Sequence, residues 1–182
     1  MTPQITDTDR DLWVSWDRYH DLIENLCVQL IESRWPFDHI LCLARGGLRV
    51  GDVVSRIFKL PLAILATSSY RQASGTLQGE LDIAQYITMT YNRMAGRVLI
   101  VDDLVDSGRT LEGVCHHLQR QFADITEIRT AVLWCKGCAK LRPDYCVEYL
   151  PTNPWIHQPF EDYDRLGASE LASRIKVARS TR

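Results

Sequence analysis

The sequence lacks several features that would assign it to a class at once. It has no apolar run long enough to cross a membrane and no charged-then-apolar leader, so we expect a cytoplasmic protein without stable membrane insertion. Its lysines and arginines are not gathered in one block and the formal net charge is −2, which argues against nucleic-acid binding. It contains neither a Walker phosphate motif nor Gly-x-Gly-x-x-Gly, which disfavours nucleoside triphosphates and dinucleotides as ligands.

Cysteine occurs, but not in a pattern that is typical of secreted disulfide-rich domains. The segment Trp134 to Cys138 contains a Cys-x-x-Cys spacing, in Cys135 and Cys138, which also occurs in redox and zinc sites. A zinc site would need a second such pair, and a redox site would need a clear helix-forming run after the motif. We therefore expect neither role for these two cysteines.

The most informative stretch runs from Val98 to Thr110 and reads Val-Leu-Ile-Val-Asp-Asp-Leu-Val-Asp-Ser-Gly-Arg-Thr. A continuous apolar run leads into acidic residues, and an amphipathic segment follows. This order predicts a strand, a loop and a helix in an α/β domain with a parallel sheet. Ligands bind at the carboxyl ends of such strands, so the loop is the predicted functional site.

The loop combines groups that bind phosphate with groups that repel it. Ser107 to Thr110 supply hydroxyls and backbone amides at the predicted start of a helix, and Asp102, Asp103 and Asp106 lie beside them. The acids need a partner, which can be sugar hydroxyls, a divalent cation or a proton. A ribose phosphate with a metal-bound diphosphate would satisfy all of these groups. The alternative to a binding site is an acidic, solvated turn between the strand and the helix.

This stretch resembles the phosphoribosyl diphosphate motif of the type I phosphoribosyltransferases. In that motif an apolar run is followed by Asp-Asp, two apolar residues, Asp-Thr-Gly, one variable residue and Thr; here Ser107 replaces the first Thr and keeps the hydroxyl. The resemblance implies that Asp106 is the catalytic acid or base and that Asp103 and Asp102 hold Mg²⁺. The implied binding site for phosphoribosyl diphosphate comprises Arg45, Gly46, Asp102, Asp103, Leu104, Val105, Asp106, Ser107, Gly108, Arg109 and Thr110.

A second polar loop, Ala44-Arg45-Gly46-Gly47, follows the predicted strand His39 to Leu43. Its glycines let the main chain approach a ligand and Arg45 adds a permanent positive charge, although Arg-Gly-Gly is also common in simple helix-entry turns. After a strand of the same sheet, the loop resembles the diphosphate-binding loop of the same family. In that family the peptide bond before the Arg is often cis, so the resemblance implies a cis bond between Ala44 and Arg45.

The segment from Thr67 to Tyr91 has no clear hydrophobic period, which is typical of a lid or a disordered loop. The family resemblance implies a mobile lid over the sugar diphosphate that opens with Ser68 to Tyr70. Either Arg71 or Arg93 can supply the basic residue that contacts phosphate in relatives.

The base site is predicted from Lys136, which follows the predicted strand Ile128 to Trp134, and from Trp155. Together they resemble the purine-binding half of bacterial xanthine-guanine phosphoribosyltransferases. A Lys side chain only donates hydrogen bonds, so it suits a 6-oxo group, and an indole offers a flat face for stacking. A solvated Lys and a Trp in an apolar corner are the structural alternatives. The implied purine site comprises Asp106, Lys136, Trp155 and Ile156.

The similarity extends to Val14 to Asp17 and departs at His157, where such enzymes often carry an acid, and at Phe160, which replaces Trp. We expect one domain over residues 1–160, with a parallel sheet flanked by helices and a small base-binding hood, and a C-terminal extension over 161–182 that forms a short helix. A homo-oligomer, dimer or tetramer, is also expected.

The predicted activity is Mg²⁺-dependent transfer of the 5-phosphoribosyl group from phosphoribosyl diphosphate to guanine, xanthine or hypoxanthine in purine salvage. The alternative is a regulatory protein with the same fold that senses a nucleotide or phosphoribosyl diphosphate without turnover.

Overall fold

A computed structural model of the protein describes residues 11–71 and 78–180. The chain divides into two compact units, Asp21–Asn153 and Met1–His20 with Pro154–Arg182, and each is described by itself. The predicted domain boundary at residue 160 stays a prediction. Within the described ranges, none of the helices has the length and apolar character needed to span a bilayer.

The described residues form helices and strands that are numbered here in chain order. They are β1 (Asp11–Trp13), α1 (Trp16–Glu32), β2 (His39–Ala44), α2 (Leu48–Phe58), β3 (Leu62–Arg71), β4 (Gln78–Ile83), β5 (Gly96–Val105), α3 (Arg109–Gln121), β6 (Ile125–Lys136), β7 (Tyr145–Leu150), β8 (Trp155–His157), α4 (Asp162–Arg165) and α5 (Ala168–Ser180).

The larger unit is built on a sheet with the strand order β4-β3-β2-β5-β6-β7 among the described residues. Strand β4 pairs antiparallel with β3 at one edge, and the other neighbouring strands pair in parallel. Strand β5 lies inside the sheet, so its run from Val98 to Val101 is fully buried. The predicted α/β fold with a parallel sheet is therefore confirmed.

Helices of the larger unit pack closely on this sheet. A Cβ at Gly51 of α2 would lie 2.6 Å from Cβ of Cys42 on β2, and a Cβ at Gly113 of α3 would lie 2.6 Å from Cδ2 of Leu81 on β4. In α1, Gln29 Nε2 donates a hydrogen bond to the backbone oxygen of Cys146 on β7. These contacts enclose an apolar core, in which each fully buried aliphatic side chain contributes about 1.5–3 kcal/mol.

The smaller unit contains a two-stranded parallel pairing of β1 with β8. The Trp13 ring stacks on His157 with centroids 3.8 Å apart. Ser15 Oγ accepts a hydrogen bond from the backbone N–H of Arg18 at 3.2 Å, so Ser15 is the N-cap of α1. A Ser directly before a run of helical period is a sequence signal for such a cap. Strand β1 was not expected, because a three-residue strand is too short to show a period. The helix predicted in the C-terminal extension is present as α5.

Two predicted loops are partly strands. Strand β5 continues to Val105 because β6 stays paired beside it, so Asp102 and Asp103 lie within the strand and not in the loop. The segment over 67–91, which is predicted to be a lid or a disordered loop, contains the end of β3 up to Arg71 and β4, and these two strands pair antiparallel. The segment as a whole shows no clear hydrophobic period, so the sequence did not indicate these strands. Residues 72–77 lie outside the described residues, and the mobility of this segment stays a prediction.

Candidate functional site

Two carboxylates stand at the carboxyl end of β5. The backbone N–H of Asp103 donates to Asp102 Oδ1 at 2.9 Å, and the backbone N–H of Leu104 donates to Asp103 Oδ1 at 2.7 Å. Burial, followed by the neighbouring Asp103 carboxylate, raises the pKa of Asp102 well above its ordinary value. The strand end therefore places two partly buried carboxyl groups side by side, and a bound cation would favour their charged forms.

The loop after β2 lies directly against these acids. A Cβ at Gly46 would lie 2.5 Å from Asp103 Oδ1, and a Cβ at Gly47 would lie 2.5 Å from the backbone oxygen of Val101. The absence of a side chain at both positions therefore permits the close approach, and at Gly47 the neighbouring atoms belong to the backbone. The peptide bond between Ala44 and Arg45 is cis, as the resemblance implied. The structure thus brings Arg45 and Gly46 to the same strand end as Asp102 and Asp103.

The turn after β5 leads into the start of α3. Gly108 is the N-cap residue of α3, with φ 88°, a left-handed conformation that favours glycine. The backbone N–H of Arg109 lies 3.5 Å from Ser107 Oγ, and Thr110 follows in the first turn of the helix. Backbone amides at the start of a helix and nearby hydroxyls are suitable groups for binding phosphate.

The larger unit also brings Asp106 and Lys136 together. Lys136 is the last residue of β6, and only 8% of it is exposed. Its Nζ lies 3.7 Å from Asp106 Oδ1. A buried ammonium group needs a charged or polar partner, and Asp106 supplies one. The alternative of a solvated Lys136 is therefore wrong.

Cys138 is a neighbour of this pair that the sequence did not indicate. Its Sγ lies 3.4 Å from both the backbone oxygen and Oδ1 of Asp106, and its backbone N–H donates to Asn153 Oδ1 at 3.0 Å. In the sequence Cys138 stands out only as the partner of Cys135 in the Cys-x-x-Cys spacing, and no spacing relates it to Asp106. All six cysteines are free thiols.

The other predicted base-site residues, Trp155 and Ile156, belong to the smaller unit. Trp155 is 46% exposed and Ile156 is buried. Trp155 Nε1 donates to Glu161 Oε2 at 3.3 Å. His157, which replaces the acid of the family pattern, lies with Nε2 2.7 Å from Asp11 Oδ1 and Nδ1 3.7 Å from Glu161 Oε2. The exposed indole of Trp155 is suitable for stacking against a flat ring. Although residue 157 is a His, Asp11 and Glu161 place carboxylates beside β8.

Protein side chains at the end of β5 supply only part of a metal coordination shell. Across the ranges 11–71 and 78–180, no group of three or more His, Cys, Asp or Glu side chains is arranged to hold a metal ion. Asp102 and Asp103 are adjacent oxygen donors, and further ligands would come from a substrate or from water.

Fold and site together define a class of α/β proteins with an acidic strand end and a phosphate-binding turn at the carboxyl edge of a parallel sheet. The family described as phosphoribosyl transferase domain matches residues 15–165. The chain belongs to this family, and it is a phosphoribosyltransferase, an enzyme of the glycosyltransferase type. The family assignment made from the sequence is thereby confirmed.

Similar proteins include three phosphoribosyltransferases of purines. Xanthine-guanine phosphoribosyltransferase of Idiomarina loihiensis is 25% identical over 155 residues, which cover 85% of this chain and 89% of the relative. The crystal structure of a purine phosphoribosyltransferase from Pyrococcus horikoshii is 29% identical, with a TM-score of 0.67 and coverage of 82% of this chain and 93% of that chain. The Helicobacter pylori xanthine-guanine-hypoxanthine phosphoribosyltransferase is 24% identical, with a TM-score of 0.68 and coverage of 90% of this chain and 99% of that chain. It shows the shared fold.

Proposed function

We propose that the protein transfers the 5-phosphoribosyl group from phosphoribosyl diphosphate to a 6-oxopurine, guanine, xanthine or hypoxanthine, and releases diphosphate. The products are a nucleoside monophosphate and diphosphate, as in purine salvage. The observation that carries this proposal is the buried Lys136 with its Nζ 3.7 Å from Asp106 Oδ1. The purine enzymes of Idiomarina loihiensis and Pyrococcus horikoshii support the choice of base.

Recognition of the base would use groups with complementary hydrogen-bonding character. The Lys136 ammonium only donates hydrogen bonds, so it would pair with a 6-oxo group, which accepts them. A 6-amino group is itself a donor and would leave Lys136 without an acceptor. Asp106 would accept or return the proton at the imidazole edge of the purine. Trp155 would stack on the ring, and Ile156, whose side chain is buried, would contact the base through its backbone.

The sugar phosphate would be held by the loops at the end of the sheet. Backbone and hydroxyl groups of Ser107 to Thr110 would bind the 5-phosphate, and Arg45 with Gly46 would bind the diphosphate. Asp102 and Asp103 would bind ribose hydroxyls. Val105 is 2% exposed, so it and Leu104 would contribute through the backbone.

The donor set at Asp102 and Asp103 fits Mg²⁺. This ion prefers oxygen ligands and usually binds through one or two carboxylates together with substrate phosphates and water. Burial, followed by the neighbouring Asp103 carboxylate, raises the pKa of Asp102, and a bound cation would lower that pKa again. Bound Mg²⁺ would neutralise charge on the departing diphosphate.

A turnover assay separates this proposal from the sensing alternative. The protein is incubated with phosphoribosyl diphosphate, Mg²⁺ and guanine, xanthine or hypoxanthine, and both diphosphate and nucleotide are measured. The proposal predicts stoichiometric release of both products, whereas a sensor would bind ligand without releasing diphosphate.

A further inference from the structure

Two backbone contacts hold the turn after β6 against the turn after β5. The backbone N–H of Lys140 donates to the backbone oxygen of Ser107 at 3.1 Å. A Cβ at Gly108 would lie 2.9 Å from the backbone nitrogen of Leu141, so the two turns are in close backbone contact. Cys138 lies between these contacts and Lys136. The turn that carries Cys138 is therefore held in a fixed place beside Asp106.

Two donors in this region meet the same carboxylate oxygen. Cys138 Sγ lies 3.4 Å from Asp106 Oδ1, and Lys136 Nζ lies 3.7 Å from that same atom. The thiol also lies 3.4 Å from the backbone oxygen of Asp106. The contacts to side chain and backbone together restrict rotation of the carboxylate about its own main chain.

We propose that Cys138 is a positioning residue for phosphoribosyl transfer, whose thiol, together with Lys136, fixes the carboxylate of Asp106 in the orientation that proton transfer at the purine requires. This inference rests on the proposed function. It adds a residue whose side chain acts through Asp106 and need not touch the substrate.

The thiol is suited to act as a donor. Cys138 is exposed at the surface, but partial burial of its thiol, followed by the hydrogen bond to Asp106, raises the pKa of Cys138. The thiol therefore keeps its proton at neutral pH. A protonated thiol is a weak donor that stabilises a carboxylate without competing for its proton. The Asn153 side chain supports this geometry, because its Oδ1 accepts a hydrogen bond from the backbone N–H of Cys138 at 3.0 Å.

The test compares Cys138→Ala with Cys138→Ser in the turnover assay, with guanine and with phosphoribosyl diphosphate varied separately. Removal of one net hydrogen bond predicts that Cys138→Ala lowers kcat by about 3- to 10-fold. The KM for phosphoribosyl diphosphate should not change, because the diphosphate-binding groups are untouched. Cys138→Ser retains a donor and should restore kcat to nearly the wild-type value. Cys146→Ala, which removes a partly buried thiol on β7, is the matched control and should leave kcat unchanged.

The outcomes separate this inference from the proposed function. Equal kcat in the wild type and Cys138→Ala, or equal defects in Cys138→Ala and Cys138→Ser, would overturn the positioning role while phosphoribosyl transfer stands. Wild-type protein without turnover on any 6-oxopurine would overturn the proposed function and this inference with it.

Discussion

Ionisable side chains of the site differ in how far they are removed from water. Lys136 is 8% exposed, whereas Arg45 and Arg109 are exposed at the ends of their loops. A buried charge interacts strongly with the few groups around it, while exposed charges are screened by solvent. Substitutions at the buried Lys136 and at its partner Asp106 should therefore change the chemistry or the choice of base.

Replacement of Asp106 by Asn tests its role as the acid or base. Asp106→Asn removes the proton acceptor and keeps the size of the side chain, so kcat should fall by about 10²-fold or more. Affinity for the nucleotide product, measured by calorimetry, should change little. Asp52→Asn, an exposed position on α2, is the control. A kcat near the wild-type value would remove Asp106 from the chemistry.

Replacement of Lys136 by Ala tests recognition of the 6-oxo group. Loss of a hydrogen bond from a charged donor predicts that kcat/KM for guanine falls by about 10- to 100-fold. The KM for phosphoribosyl diphosphate should change far less. Lys140→Ala, an exposed side chain on the same turn, should behave as the wild type. Equal losses for base and sugar diphosphate in Lys136→Ala would indicate a structural role.

The charge of Asp102 should destabilise the protein when ligand and magnesium are absent. Because the folded protein has a raised pKa at Asp102, the folded state binds that proton more tightly than the unfolded chain. The free energy of unfolding should therefore fall as the pH rises from the ordinary carboxyl pKa through the raised pKa. Asp102→Asn should unfold at a higher temperature than the wild type at neutral pH, and the difference should vanish in acid. The exposed Asp82→Asn is the control, and a neutral-pH loss of stability in Asp102→Asn would contradict this account.

Among the elements, the loop between β2 and α2 and the end of β5 act as one packed unit. Gly46 lies against a side chain of β5, and Gly47 lies against its backbone. Moving one side chain costs less free energy than moving a strand, because a strand is paired and packed with its neighbours. The two glycines should therefore respond differently to substitution.

Gly46→Ala and Gly47→Ala form a matched pair. A Cβ at residue 46 would push the Asp103 carboxylate aside, so the Mg²⁺ concentration needed for half-maximal activity should rise while the melting temperature changes little. A Cβ at residue 47 would meet the backbone of Val101, so the unfolding free energy should fall by about 1–3 kcal/mol. Thermal denaturation and a magnesium titration of activity measure both effects. The reverse pattern would show that the packing has been assigned to the wrong glycine.

The sequence predicts those elements whose side chains show a clear pattern. The apolar run of β5, the cap at Ser15 and the turn before α3 are all local signals, and the structure has each of them. Strand β4 and the extension of β3 depend on backbone pairing with a neighbour, which leaves no period in the sequence. The contact of Cys138 with Asp106 joins residues 32 positions apart, and only the fold brings them together.

For the whole molecule, the contacts that carry the proposal all lie in one compact unit, Asp21–Asn153. They join the ends of β2, β5 and β6, which are neighbours in the sheet. The family match extends over residues 15–165 and so includes residues of both units. The homo-oligomer expected from the resemblance stays a prediction, and light scattering of the purified protein measures it.

The central claim is phosphoribosyl transfer to a purine that carries an oxo group at position 6. Hypoxanthine and adenine form the most direct comparison, because they differ in having an oxo or an amino group there. With phosphoribosyl diphosphate and Mg²⁺ at saturating concentration, nucleotide formation is followed for each base. Since Lys136 has only donors, kcat/KM for hypoxanthine should exceed that for adenine by about 10³-fold or more. Comparable values for the two bases, or product formed from adenine alone, would contradict the account.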